Sequence, residues 1–202
     1  KRLEHLIEAL TNSSSKAVWC IRGGSGSLFL LPELLKIKKP EHNKIFIGFS
    51  DITALHIFLN QQWCWETIHA PNLKQIAEKL VDQESIQAIE NLLKKGERKS
   101  PFDSLSPLNK PAKKSLSLNA PLTGGNLSVI QYGIGTAFQI KTDGKVLFLE
   151  DFNEPVYKTL QRLEQIKQAG LFKKLKALIL GDFNFQEENL EEDLLYRRFF
   201  KD

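Results

Sequence analysis

Methionine is absent from all 202 residues, the first included. The chain opens at Lys1 part-way along an amphipathic helix pattern, with Leu3, Leu6, Ile7 and Leu10 at i, i+3, i+4 and i+7. It is therefore expected to be an internal piece of a longer polypeptide, unless its methionines went unrecorded as selenomethionine would. Cysteine is nearly as scarce. Cys20 and Cys64 stand in apolar surroundings and read as reduced core thiols rather than as a disulfide or a metal pair. No apolar run approaches the ~18 residues that span a bilayer, and Lys1-Arg-Leu-Glu-His is a charged helix pattern rather than a signal peptide. A cytoplasmic location is the expectation. A concentrated charge is missing too. The net charge is +4, but its densest basic group (Lys94, Lys95, Arg98, Lys99, Lys110, Lys113, Lys114) falls in a stretch of linker composition. A nucleic-acid footprint needs basic residues gathered on one face with aromatic or groove-reading partners, so nucleic acid is not an expected ligand.

What is present describes a soluble globular protein of one or two domains, with 42% hydrophobic and 26% charged residues. Ala17–Ile21 is a short apolar run of the kind buried on both faces of a sheet. It leads through Arg22-Gly-Gly-Ser-Gly-Ser27 into a leucine-rich helix pattern over 28–35. A second strand is expected at 44–48, a helix over 51–60, and a third strand over 66–69 before Ala70-Pro71-Asn72. Helices are expected near 73–80 and 85–95. Strands alternating with helices at this spacing indicate a parallel α/β sheet. Three strands are fewer than a sheet usually holds, which again suggests missing N-terminal strands. From Gly96 to Ser117 the composition turns to Lys, Ser, Pro and Asn, the chemistry of a linker. The organisation expected is an N-terminal α/β domain over 1–98, a linker over 99–117 and a smaller C-terminal α/β domain over 118–202. In the latter, Leu122-Thr-Gly-Gly-Asn126 is expected to open a helix. Strands are expected over 145–150 and 177–180, with a long helix over 155–169 between them and an acidic helix around 187–199.

The most informative stretch is Lys44-Ile-Phe-Ile-Gly-Phe-Ser50-Asp51-Ile-Thr-Ala-Leu. A strand runs into a helix with one serine at the corner. Such a turn lifts a hydroxyl clear of the backbone and sets it at a helix N-terminus, where free N–H groups favour a developing oxyanion. Taken alone, the junction favours a plain helix cap, with Ser50 as N-cap and Asp51 as a first-turn acid. The Gly23-Gly24-Ser25-Gly26-Ser27 turn resembles a phosphate cradle but lacks the Gly-Lys-Ser/Thr ending of a P-loop. It reads equally as a glycine-rich turn with no ligand. Beside Ser50 a third reading fits better. Two parallel strands ending in tight turns place both turns on one carboxyl edge of the sheet, where ligands bind. The glycine turn then donates an N–H to an oxyanion at Ser50, alongside the N–H of Asp51.

A serine nucleophile needs a base, normally a histidine oriented by a carboxylate. Glu150 is a credible orienter because it ends the apolar run Val146-Leu-Phe-Leu149, although Glu150-Asp151 reads equally as the start of a solvent-facing loop. None of the four histidines stands out as the base. His5 and His42 lie on polar segments, His56 lies inside the helix after Ser50, and His69 lies on the correct sheet edge as a substrate-side or structural residue. Arg22 is placed to pair a substrate carboxylate, and equally to serve a structural ion pair.

Seven ordered motifs carry a family resemblance: Arg22-Gly-Gly-Ser-Gly-Ser, Gly48-Phe-Ser-Asp-Ile-Thr-Ala-Leu, His69-Ala-Pro, Leu122-Thr-Gly-Gly-Asn-Leu, Gly135-Thr, Leu147-Phe-Leu-Glu-Asp and Ile179-Leu-Gly-Asp-Phe. Over about residues 1–185 the chain resembles the LD-carboxypeptidases, the murein tetrapeptide carboxypeptidase family that also contains the microcin C immunity peptidases. The resemblance implies a nucleophilic Ser50, a triad carboxylate at Glu150, and an oxyanion hole from the N–H groups of Asp51 and the Gly23-Gly24 turn. It implies a flavodoxin- or glutaminase-like N-terminal sheet domain joined to a C-terminal α/β domain, with the site between them. Two departures bear on substrate contacts: the family's His-Gly-Pro is His69-Ala-Pro71 here, and Ser25 replaces the tyrosine of Gly-Gly-Tyr-Gly. The family's catalytic histidine lies in a Gly-His segment expected beyond Asp202, and the strand that begins the family's sheet is expected before Lys1.

The activity so implied is release of terminal D-alanine from a muropeptide through an acyl-enzyme, with no metal or organic cofactor. The expected partners are the muropeptide and a second copy of the chain in a homodimer, with no membrane. The alternatives are cleavage of an aminoacyl or peptidyl nucleotide, and a non-catalytic ligand-binding module.

Overall fold

The structure is a computed structural model that describes residues 1–96, 105–114, 117–185 and 199. In chain order its elements are α1 (Arg2–Thr11), β1 (Ala17–Trp19), a 3-10 turn Ser27–Leu30 running into α2 (Leu31–Leu34), and β2 (Ile45–Gly48). A second 3-10 turn, Ser50–Ile52, runs into α3 (Thr53–Phe58) and a π turn Leu59–Trp63, followed by β3 (Thr67–His69), α4 (Leu73–Ala77) and α5 (Gln83–Lys95). After α6 (Lys110–Lys114) come β4 (Leu122–Asn126), α7 (Leu127–Tyr132), β5 (Val146–Glu154), α8 (Val156–Gln168) and β6 (Ala177–Phe185). The expected linker therefore carries one short exposed helix, α6. The acidic helix expected around 187–199 lies outside the described residues apart from Phe199. Among the described residues no helix is long and apolar enough to cross a membrane.

Two parallel three-stranded sheets form, in the orders β1-β2-β3 and β4-β5-β6. In the first, Trp19 pairs with Ile47 and Gly48 with His69. In the second, Asn126 pairs with Glu150. Each sheet thus brings its candidate site positions to a carboxyl edge.

α3 joins the two. All six of its residues are buried, as expected of a helix packed on every side. Ala54, Leu55 and Phe58 enter the first core with Phe46, Leu31, Leu34 and Trp65. Ile57 enters the second, with Leu127, Leu147, Leu149 and Leu163. Each such large apolar side chain contributes roughly 1.5–3 kcal/mol when fully buried.

Three expectations are corrected. Leu122–Asn126 does open a helix, with Asn126 as the N-cap of α7, but the segment itself is a strand. Its glycine pair hides the strand signal, yet the glycines are what allow it to form. A Cβ on Gly124 would stand 1.9 Å from the Phe148 carbonyl oxygen, and one on Gly125 would stand 2.6 Å from Thr53 Oγ1. Secondly, β5 does not stop at Glu150 but continues to Glu154, with a register shift between Leu149 and Asp151. Thirdly, Cys64 is exposed. It caps the π turn in the left-handed region at φ 56°, and this reversal turns it outward between the buried Trp63 and Trp65. Cys20 is partly buried, and its thiol is pushed up to about 12 by desolvation. Both thiols are free.

Candidate active site

Ser50 has φ 66°, in the left-handed region. A non-glycine residue held there costs of order 1–2 kcal/mol, so the surrounding packing has to impose it. Gly48 is part of that packing, since a Cβ there would lie 2.5 Å from Ile52. Ser50 does not cap the helix. Phe49 occupies the cap position in extended conformation with no side-chain cap bond, and Ser50 is the first residue of the 3-10 turn. The plain-cap reading thereby loses its geometric basis.

The glycine turn lies directly against this corner. A Cβ on Gly23 would stand 3.0 Å from Ser50 Cβ, 3.1 Å from the Phe49 carbonyl oxygen and 3.2 Å from Ser50 Oγ. Only glycine lets the backbone pass so close to the hydroxyl. Gly24 and Gly26 follow at φ 98° and 94°. Ser27 closes the turn by donating its N–H (2.9 Å) and its hydroxyl (2.7 Å) to the Asp51 carboxylate. Arg22 is exposed at the outer end of the turn.

Glu150 and Asp151 are both buried, so the solvent-facing-loop reading does not hold. Asp151 accepts from Asn126 Nδ2 (2.9 Å), from the Ser128 N–H (3.2 Å) and hydroxyl (2.7 Å), and from the Phe152 N–H (3.0 Å). The neighbouring Glu150 has no such set of donors, and its Oε1 takes no hydrogen bond from the described residues. Desolvation, aided by the Asp151 carboxylate and, more weakly, by Asp182, pushes Glu150 up to about 7, with Asn126 acting in the opposite direction. Gly181 makes room for the pair, because a Cβ there would come within 2.8 Å of the Phe148 ring and 3.3 Å of Glu150 Cβ.

His69 Nε2 lies 3.8 Å from Glu150 Oε1, beyond hydrogen-bond reach. Desolvation first, and then His56, hold His69 down at about 3. The distance alone suggests an ion pair, but the two groups shift in the directions that disfavour charge. At neutral pH burial keeps the imidazole uncharged, so no ion pair forms. His56 is also buried and held down at about 4 by desolvation, against the opposing influence of the Gly48 carbonyl 3.0 Å from its Nε2. His5 and His42 are exposed.

The structure thus gathers Ser50, Asp51, Gly23 and Gly24 at one corner and sets His69 beside Glu150. Sequence reasoning missed Thr53 and the side chains of Ser27, Asn126 and Asp151. Thr53 Oγ1 accepts the Asn126 N–H at 3.0 Å, which ties the serine corner to the second sheet. The one available signal was that Thr53, Asn126 and Asp151 stand inside the same ordered motifs as Ser50 and Glu150.

Two parallel α/β sheets with a strained serine at a strand–helix corner define the class. Within it, the chain belongs to the LD-carboxypeptidase family: residues 1–70 match the LD-carboxypeptidase N-terminal domain and residues 119–202 the C-terminal domain. A Rickettsia conorii protein named as a carboxypeptidase is 44% identical over 201 residues, covering 100% of this chain and 63% of that protein. The murein tetrapeptide carboxypeptidase of Pseudomonas aeruginosa is 30% identical over 196 residues, covering 91% of this chain and 61% of the relative. The chain thus spans less than two thirds of these curated relatives. Among solved structures, the muramoyltetrapeptide carboxypeptidase from Oxalobacter formigenes superposes with a TM-score of 0.73 at 25% identity, over 98% of this chain and 69% of that one. An MccF-like protein from Streptococcus pneumoniae in complex with AMP gives 0.78 at 22% identity, over 98% and 71%, which shows the shared fold alone.

Proposed function

We propose that this chain carries the nucleophile and the triad carboxylate of a cytoplasmic serine carboxypeptidase. Its reaction would release terminal D-alanine from murein tetrapeptides in cell-wall recycling. Residues 1–98 and 118–202, on either side of the 99–117 segment, each supply one side of the site. The observation that carries the reading is the left-handed Ser50 with the Gly23 backbone lying against its hydroxyl.

In the proposed reaction Ser50 Oγ bonds to the carbonyl carbon of the L,D-peptide bond and gives its proton to a general base. The tetrahedral oxyanion receives the Asp51 N–H and an N–H of the Gly23-Gly24 turn. The C–N bond then breaks and the leaving D-alanine amine takes the proton from the base. Water adds to the acyl-enzyme by the same route in reverse, restoring the Ser50 hydroxyl and freeing the shortened peptide. Arg22 would pair the substrate's terminal carboxylate.

A base works best with a pKa near the operating pH. His69, held down at about 3, is therefore a poor candidate, and the Nε2 of His56 is engaged by the Gly48 carbonyl. By family resemblance the base is a histidine of a Gly-His segment outside residues 1–202. The buried Glu150 Oε1, which takes no hydrogen bond among the described residues, supports this, because an imidazole N–H would satisfy it. The imidazolium formed during reaction would draw Glu150 back to its ionised form.

A second reading, hydrolysis of an aminoacyl or peptidyl nucleotide, is favoured by the fold shared with the AMP-bound MccF-like protein. The murein substrate is supported by the 30% identity to the Pseudomonas aeruginosa murein enzyme and by the tryptophans. Trp63 and Trp65 are buried, and Trp19 is partly buried against Ile47, Ala70 and Ile89, so the tryptophans are poorly placed for base stacking.

The test uses the gene-encoded polypeptide and its Ser50→Ala variant, assayed on a murein tetrapeptide and on an aminoacyl sulfamoyl adenylate. D-alanine release that disappears in Ser50→Ala, with thermal melting almost unchanged, is the expected result. Near-normal activity in that variant overturns the mechanism, and turnover of the adenylate alone selects the second reading.

A further inference from the structure

The Gly23-Gly24 turn poses a physical problem. An oxyanion donor is effective only if its N–H already points to where charge will develop, about 2.7–3.1 Å from the oxygen, and a 1 Å misplacement can cost ~10²-fold. A segment with glycine at 23, 24 and 26 is the part of a chain least able to hold such a position unaided.

Upstream, the turn is anchored by backbone bonds. The Cys20 N–H donates to the Ile47 carbonyl (2.9 Å), and the Cys20 and Ile21 carbonyls accept from Leu73 (3.1 Å) and Lys74 (2.9 Å). Arg2 Nη2 touches the Ser25 carbonyl at 3.2 Å, but this contact is exposed. Downstream, the buried tether is Ser27, whose N–H and hydroxyl both go to the buried Asp51 carboxylate. Hydrogen bonds to an ionised acceptor are roughly twice as strong as neutral ones, and here they link residues 24 positions apart in sequence.

We propose that the Asp51 side chain is a positioning residue for the oxyanion hole, holding the Gly23-Gly24 turn over Ser50 through Ser27. Asp51 thereby serves both halves of the hole. Its own N–H is one donor, and its carboxylate fixes the loop that carries the other. This rests on the reading of Ser50 as nucleophile and adds to it a role for a carboxylate that never touches the substrate.

The test measures the rate at which a fluorophosphonate probe labels Ser50 in the gene-encoded polypeptide. In that labelling the Oγ–P bond forms, fluoride leaves, the hydroxyl proton goes to solvent, and the phosphoryl oxygen occupies the oxyanion position. The wild type, Ser27→Ala and Asp51→Ala are compared, with kcat and KM for D-alanine release recorded in parallel. Ser27→Ala keeps the N–H bond and is expected to lower the labelling rate and kcat ~10-fold, and Asp51→Ala ~10²-fold, with KM within about twofold, by comparison with loss of a single oxyanion donor. A merely structural role would lower the melting temperature without this separation of kcat from KM. Should Asp51→Ala fail to fold, Ser27→Ala carries the measurement. Labelling at Ser50 with unchanged rates in the variants, or a loss found only in KM, overturns this proposal alone. An unlabelled Ser50 in the wild type overturns the nucleophile assignment and this proposal with it.

Discussion

The two sheets have the same topology, three parallel strands with candidate site residues at the carboxyl edge, yet they build their edges by opposite means. The first works through the backbone: a serine bent into the left-handed region, and glycines that allow two turns to touch. The second works through side chains, with two adjacent buried carboxylates. One of them is surrounded by donors, and the other has an oxygen that takes no hydrogen bond among the described residues. The contrast shows why neither edge suffices alone. On the proposed mechanism a strained hydroxyl needs a base to take its proton, and a buried carboxylate needs an imidazole to orient. The Thr53–Asn126 bond joins the two edges where they face each other.

After the loss of Ser50 itself, the largest expected effect falls on the second sheet. Glu150→Gln should lower turnover about 10⁴-fold, as in other triads that lose their carboxylate, with substrate affinity barely changed. Steady-state kinetics on a murein tetrapeptide check this, and unchanged turnover would return Glu150 to a structural role. On the first sheet, Gly23→Ala should cost ~10²–10³-fold in kcat, the range of a lost oxyanion donor, because the added methyl meets Ser50 Cβ and Oγ at 3.0 and 3.2 Å. Its stability, measured by urea denaturation, should change far less than its activity, since Gly23 is not among the left-handed glycines.

A smaller effect appears in the pH dependence of stability. His56 and His69 are held down at about 4 and about 3, so between pH 4 and 6.5 the unfolded chain binds protons that the folded chain refuses, and stability rises with pH. Glu150, raised from 4.5 to about 7, opposes this. The folded chain keeps a proton that the unfolded chain loses, so its contribution falls as pH rises through that window. Glu150→Gln removes the opposition and should steepen the rise between pH 4.5 and 6.5 by about 1–2 kcal/mol. Urea titrations at pH 4.5, 5.5 and 6.5 read the slope, and a shallower one would mean that Glu150 is ionised in the folded chain.

The first sheet was the more legible of the two in sequence. Its strands are short apolar runs, each punctuated by a turn, and Ser50 stands at the corner where β2 passes into a helix. β4 was not legible, because Gly124 and Gly125 remove the β-branched signal for a reason that only the neighbouring Phe148 and Thr53 reveal. The Asp51–Ser27 and Asp151–Asn126 bonds were hidden for a related reason. Local pattern assigns a first-turn acid to the helix dipole and an acid after Glu150 to a loop, whereas their partners lie 24 and 25 residues away. Cys64 was misread because apolar neighbours predict burial only while the backbone stays regular, and its left-handed φ reverses the direction of the side chain.

The bend at Ser50 also sets durability against usefulness at a single position. Glycine is the natural occupant of a left-handed corner and removes a strain of about 1 kcal/mol. Selection for heat resistance without an activity assay would therefore enrich Ser50→Gly, and on the proposed mechanism the hardiest clones recovered would be inert.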